Sequence, residues 1–210
     1  MANDAATLRG YVESALQDTS NATWSDADID SLVVRAVASL YPRVVKWIPA
    51  DDSGVDDLLV AGTYFYSVPS PLVNVSRLQL VSSDGEERGD LAAWRVTGSF
   101  MDDTAKVQID PSIVDGNDGA TIRFEGFARY TLTSPYQIPD DYVAYVVAHA
   151  KAAAYSWMLS QRARFKQWAN SDQTLNISVN ELLGLQSQAD REVEMHKSRI
   201  FTWRKPLRAR

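Results

Sequence analysis

Three sets of residues in this 210-residue chain have types and spacings that chemistry could use. The first is Asp26-Ala-Asp28-Ile-Asp30, whose alternating carboxylates imitate the first three ligands of a calcium loop. Such a loop also needs Gly at its sixth position and Glu at its twelfth, and those places hold Ser31 and Val37. The triplet therefore reads as a helix start: Ser25 is the N-cap, and three negative charges sit in the turns where the helix dipole favours them. The second set is four carboxylate pairs, Asp51/Asp52, Asp56/Asp57, Asp102/Asp103 and Asp140/Asp141, of the kind a hydrolase uses as acid and base. All four stand beside turn formers or at a helix start, so solvated turns and caps explain them. The third is the two histidines. His149 lies on an alanine-rich helical run, where a satisfied packing histidine is expected, and His196 follows Glu192 at i, i+4 spacing. Two His and no Cys cannot build a His-rich or thiolate metal site, and no GxxxxGK(S/T), GxGxxG, GxSxG or HExxH occurs, so neither catalytic residues nor a cofactor are expected.

A fourth feature is electrostatic. From Lys197 onward the chain carries six Lys or Arg and no acid, because Glu194 is the last carboxylate; the remainder holds 15 cations against 27 acids, a net −12. In the closing stretch RIFTWRKPLRAR, the cations Arg199, Arg204, Lys205, Arg208 and Arg210 alternate with Phe201, Trp203 and Leu207. Aromatics for pockets and arginines for acidic rims suit a docking arm held in a protein groove. A phosphate contact or a disordered end are the alternatives. The acidic remainder argues against reading nucleic-acid sequence, which needs cations spread over a face.

The elements that must position these groups follow from the hydrophobic period. Leu8, Tyr11, Val12, Ala15 and Leu16 give a short first helix that stops in DTSNAT. Ile29, Leu32, Val33, Ala36, Val37 and Leu40 give a second, which Pro42 ends or kinks. After the acidic linker PADDSGVDD, the runs TYFYSV, LVNVSRLQLV, LAAWRV, AKVQID and ATIRFEGFARY predict about five strands between Thr63 and Tyr130, enough for a small antiparallel sandwich or barrel. Pro139, Asp140 and Asp141 open a long helix running to Trp168, centred on Ala150, Ala153, Ala154 and Trp157. After NSDQTLN a last helix places Leu182, Leu185, Ala189, Val193, His196 and Ile200 on one side; at ~1.5 Å per residue it reaches ~40 Å, so its end should project. The class is α+β: a four-helix bundle-like core (1–50 and 139–198), an antiparallel β domain inserted between the second and third helices (51–138), and an extended C-terminal arm (199–210). No secretory signal and no apolar run of membrane-spanning length is seen.

The opening pair of helices with its acidic cap, TWSDADIDSLVVRAVASLYPRV, the β insert, and the return through IPDDYVAYVVAHAKAAAYSWML together resemble the head-to-tail adaptor, or head completion, proteins of tailed bacteriophages. The resemblance implies a structural, non-enzymatic protein of the virion's head–tail interface, assembled in the host cytoplasm. It implies a homo-oligomeric ring, usually of twelve copies, seated on a portal protein and offering its far side to the next neck or tail protein, with DNA passing through the lumen. The C-terminal segment would then reach towards the portal. Two other functions remain open: a glycan-binding or glycan-hydrolysing module built on the carboxylates and aromatics of the β insert, Trp94 among them, and a nucleic-acid-binding packaging factor using the basic tail.

Overall fold

The computed structural model describes residues 3–18, 23–49, 56–70, 72–82, 87–100, 104–133, 136–161 and 178–202. The chain divides into a helical unit, from residues 1–44 and 130–210, and a β unit, Val45–Arg129. Helices and antiparallel sheets are both present, so the α+β class holds.

In the helical unit, α1 (Ala5–Leu16) begins at Asp4, whose side chain accepts the Thr7 N–H at 2.8 Å. The connection to the next helix is tied down by Asp18. Its buried carboxylate accepts the backbone N–H groups of Thr23 (3.1 Å) and Trp24 (2.8 Å), so two donors beyond the end of α1 are satisfied by one side chain. Helix α2 (Asp26–Ala38) starts in a capping box in which Ser25 and Asp28 exchange side-chain and backbone bonds. It buries Ile29, Leu32, Val33, Ala36 and Val37, the stripe the period predicts.

Helix α4 (Asp140–Ser160) opens after Pro139 and lies at the centre of the bundle, in contact with α1, α2 and the last helix, α5 (Val179–Thr202). Its Ala150 and Ala154 are fully buried, and Trp157 packs beside the buried Trp24 with ring centroids 5.6 Å apart. The helix is shorter than the sequence suggests. Gln161 leaves helical geometry, its N–H closing only a three-residue turn on Met158, while the Ser160 hydroxyl donates to the Trp157 carbonyl at 2.6 Å and competes for the acceptors of the last turn. Residues 162–177 lie outside the described residues. Helix α5 buries Leu182 and Ala189 and packs Leu185, Val193 and Ile200 on the same core. It therefore stays against the bundle as far as Ile200. The end expected to project lies beyond Thr202, outside the described residues.

Among the described residues the β unit holds eight strands, where the sequence suggests about five: β1 (Lys46–Ile48), β2 (Asp56–Leu58), β3 (Phe65–Ser67), β4 (Leu72–Val81), β5 (Glu87–Asp90), β6 (Trp94–Thr97), β7 (Lys106–Ile109) and β8 (Thr121–Ala128). A one-and-a-half-turn helix, α3 (Pro111–Gly116), follows β7. One sheet has the order β1-β8-β4-β5, with β2 joining β8 beside β1; the other has the order β3-β7-β6. All pairs are antiparallel. Strand β8 alternates strictly, with Ile122, Phe124, Gly126 and Ala128 inward, as a half-buried strand must. Gly126 is required by close approach: a Cβ there would overlap the Asn74 carbonyl, where β4 shifts register against β8.

The three additional strands were hidden by composition. Strand β2 is Asp-Asp-Leu, inside what reads as an acidic linker, and β5 is Glu-Arg-Gly-Asp, inside a turn-rich stretch. Their pairing is supported from the neighbouring strands: Asp56 stands 3.6 Å from Arg123 of β8, and Arg77 of β4 holds Asp90 (2.6 Å) and Glu125 (3.3 Å). Strand β1 has only three residues, and its Trp47 meets Phe127 edge-on at 4.9 Å.

Candidate interaction surfaces

The carboxylates that imitate a calcium loop are engaged otherwise. Asp28 belongs to the capping box. Arg9 of α1 reaches across to α2, where its guanidinium takes Asp30 with two bonds (2.8 and 2.6 Å) and also meets Asp26. Its hydrogen bonds to Asp30 raise the Arg9 pKa above its usual range. Arg9 thus supplies the positive charge an ion would have supplied. Among the described residues no group of three or more His, Asp or Glu side chains stands close enough to hold a metal.

The paired acids are likewise spread apart. Asp56 and Asp57 are in β2, where the Asp57 carboxylate accepts the Leu58 N–H. Asp140 and Asp141 open α4, where Asp140 accepts from the Asn3 side chain at 2.9 Å, a bond that lowers its pKa. Asp51/Asp52 and Asp102/Asp103 lie outside the described residues. Trp94 borders a hollow of ≈ 280 Å³ with Arg95, Gln108 and Asp110. Asp110 is its one acid, and it already caps α3, accepting the Ser112 N–H (2.9 Å) and hydroxyl (2.6 Å). Those bonds lower its pKa, so it is held as the carboxylate and is unsuited to donating a proton.

The histidines differ from expectation. His149 sits against Tyr145, with ring centroids 5.8 Å apart, but its buried Nδ1 has no hydrogen-bond partner. Burial first, then Arg35 and Lys197, lower its pKa, so it is a neutral packing residue with one unsatisfied nitrogen. Glu192, the expected partner of His196, is engaged by Lys151 (3.0 Å) and Gln188 (3.3 Å). His196 lines a groove.

That groove is larger than the hollow beside Trp94. It measures ≈ 520 Å³ and lies over α4 between α1 and α5, with Tyr11 and Ala15 on one wall and Glu192 and His196 on the other. Its floor is Val143, Ala144, Val147 and Ala148, closed at the ends by Asp140 and Lys151. These α4 positions fall at i, i+3, i+4, i+7, i+8 and i+11, one unbroken helical stripe. Tyr11 is 49% exposed there. A second groove, ≈ 560 Å³, runs along α2 at Ser31, Leu32 and Arg35 and along α4 at Ala153, Ser156, Trp157 and Ser160. Neither groove converges titratable groups on a point in the manner of an active site.

Of the proposed docking arm, Arg199 is exposed in the last turn of α5, and Phe201 is helical. Trp203, Arg204, Lys205, Leu207, Arg208 and Arg210 lie outside the described residues. Sequence reasoning missed both grooves, which are gaps between helices that no single segment of sequence contains. No helix among the described residues is long and apolar enough to cross a membrane.

Against curated proteins, no sequence matches this chain. Among solved structures it aligns with a chain of the neck of an empty GTA particle computed with C6 symmetry, at 15% identity over 86% of this chain and 87% of that one, TM-score 0.31. The neck of the native GTA particle computed with C12 symmetry gives 18% identity over 85% and 98%, TM-score 0.29. The virion of the native gene transfer agent particle gives 17% over 89% and 88%, TM-score 0.28. At such scores the family is decided by sequence. The model of the SU10 adaptor protein family matches residues 3–197, nearly the whole chain. The resemblance to head-to-tail adaptors is therefore one of membership: this chain belongs to the SU10 adaptor protein family.

Proposed function

We propose that this chain is a non-enzymatic structural adaptor of the neck of a tailed, phage-like particle, forming a ring on the portal and passing the channel on to the next neck or tail protein. The family match over residues 3–197 carries this reading. The charge distribution supports the finer parts. Twelve copies at −6 each would carry −72, and an acidic lumen repels DNA phosphates, so a genome slides through without adhering. The basic, aromatic end of the chain is the docking arm, with Arg199, Phe201, Trp203, Arg204, Lys205, Leu207, Arg208 and Arg210 as its contacts. Deleting residues 199–210 and measuring attachment to portal-bearing heads tests it. A loss of tenfold or more is expected; attachment equal to that of the full chain refutes the arm.

A further inference from the structure

The imidazole of His149 is packed as only its neutral form permits. Its Nδ1 is buried without a hydrogen-bond partner, and its ring lies against Tyr145, whose hydroxyl is 3.0 Å from the Ser39 Oγ of α2. The charges that act on it belong to both neighbouring helices, and both are positive: Arg35 of α2 and Lys197 of α5. Ala153, one turn further along α4, shares a groove with Arg35. No acid offsets these cations. On α2, Asp28 is occupied in the capping box and Asp26 and Asp30 hold Arg9. On α5, Glu181 bonds Ser178, Glu192 is taken by Lys151 and Gln188, Glu194 by Lys197 itself, and Asp190 is exposed. A proton on His149 would add a third cation, with a buried N–H that has no acceptor.

Of the helices around this imidazole, α5 is held least. Among the described residues its buried side chains are Leu182 and Ala189, against five on α2 and eight on α4, and one ion pair, Lys151–Glu192, ties it to another helix. We propose that acid releases α5 from the bundle with His149 as the trigger, because the departure of α5 lets the imidazole reach water and take a proton. The sign follows from linkage. The closed bundle holds the His149 pKa below the ordinary 6.5 and the opened one restores it, so opening binds a proton. Opening is therefore favoured as pH falls below about 6.5, by up to about tenfold per pH unit until the closed form is protonated too. This inference rests on the bundle alone and is independent of the proposed ring and portal. Its consequence reaches the basic segment, since α5 carries Arg199 and Phe201.

The chain has no cysteine, so one introduced thiol reports its own site. Ala189→Cys places it on the buried side of α5, and Ala36→Cys on the buried side of α2. Labelling by a dipyridyl disulfide, which also reads neutral thiols, is taken relative to the same chain in denaturant at each pH. Between about pH 7.5 and pH 5 the rate should rise about tenfold or more for Ala189→Cys and less than about twofold for Ala36→Cys. Adding His149→Phe to the Ala189→Cys chain should abolish the rise while the circular dichroism at neutral pH is that of the parent. His149→Gln, also neutral at every pH and smaller than Phe, should do the same and decides the matter if the larger ring disturbs packing. A rise that persists with Gln at position 149 overturns the inference, because another group then titrates. A rise that Ala36→Cys shares in full overturns it as well, since the whole bundle then opens. So does a flat profile for Ala189→Cys, which would mean that α5 stays closed.

Discussion

Arg9 shows how little a local motif says until its neighbours are known. Three aspartates at alternate positions are the same whether they await a cation or a guanidinium, and only the packing of α1 against α2 brings Arg9 to Asp26 and Asp30. The sequence excluded a calcium loop through the missing Gly and Glu, but it held no sign of the partner, which is seventeen residues or more away. The Ser178–Glu181 pair is the opposite case. Ser178 donates its N–H to the Glu181 carboxylate (2.6 Å) and its hydroxyl accepts the Glu181 N–H, a capping box readable from the S-x-x-E spacing alone. His149 carries the pH dependence at this scale. Its folded pKa lies below the ordinary 6.5, so the unfolded chain binds the extra proton first, and stability falls as pH drops from about 6.5 towards the folded value. Replacing His149 by Phe should flatten the thermal midpoint between pH 7 and pH 5. A slope equal to that of the parent would mean the imidazole binds its proton alike in the folded and unfolded chain.

At the scale of elements, what was legible divides by how each element is held. Helices α1, α2, α4 and α5 are announced by their own apolar stripes, and the five strands read correctly are β-branched or aromatic runs. Strands β2 and β5 carry no such mark, because what keeps them extended is supplied by β8 and β4, through Arg123 and Arg77. The groove over α4 was illegible for the same reason: it is a gap between α1 and α5, and no segment of sequence contains it. Within the sheet, Gly126 is the position with least tolerance. Gly126→Ala forces β4 and β8 apart where Asn74 approaches, with a cost of about 1–3 kcal/mol by overpacking. Denaturant midpoints of the two proteins at equal slope measure it, and a change below a few tenths of that range would mean the strands absorb the methyl freely.

For the whole molecule the governing quantity is the separation of charge along the chain, a net −12 followed by +6. A polyanion meeting this protein is repelled by the net charge of the first 196 residues and attracted by that of the last fourteen. The intact chain should therefore not retard duplex DNA at ~150 mM salt. A free peptide of residues 199–210, with five cations, should bind at low salt with a log–log slope of about −4. Tight, salt-sensitive binding by the intact chain would contradict a channel through which DNA moves freely.

Strand β8 draws on distant partners. It joins β1 at Lys46↔Ala128, β2 at Asp56↔Arg123 and β4 along nearly its full length, so the larger sheet cannot be assembled until the ribosome has released residue 128. The pairing of Lys46 with Ala128 also sets the two ends of this 85-residue insert side by side as neighbouring strands. Once the insert has folded, α2 and α4 belong to a chain that is effectively continuous, and a loop-closure entropy on the order of 4 kcal/mol has already been met. Assembly of the bundle is in that sense downstream of the sheet, and in a Gly126→Ala protein that keeps only Trp47 and Trp94 as tryptophans the helical circular dichroism should melt together with the fluorescence; two separated transitions would show that the halves mature independently.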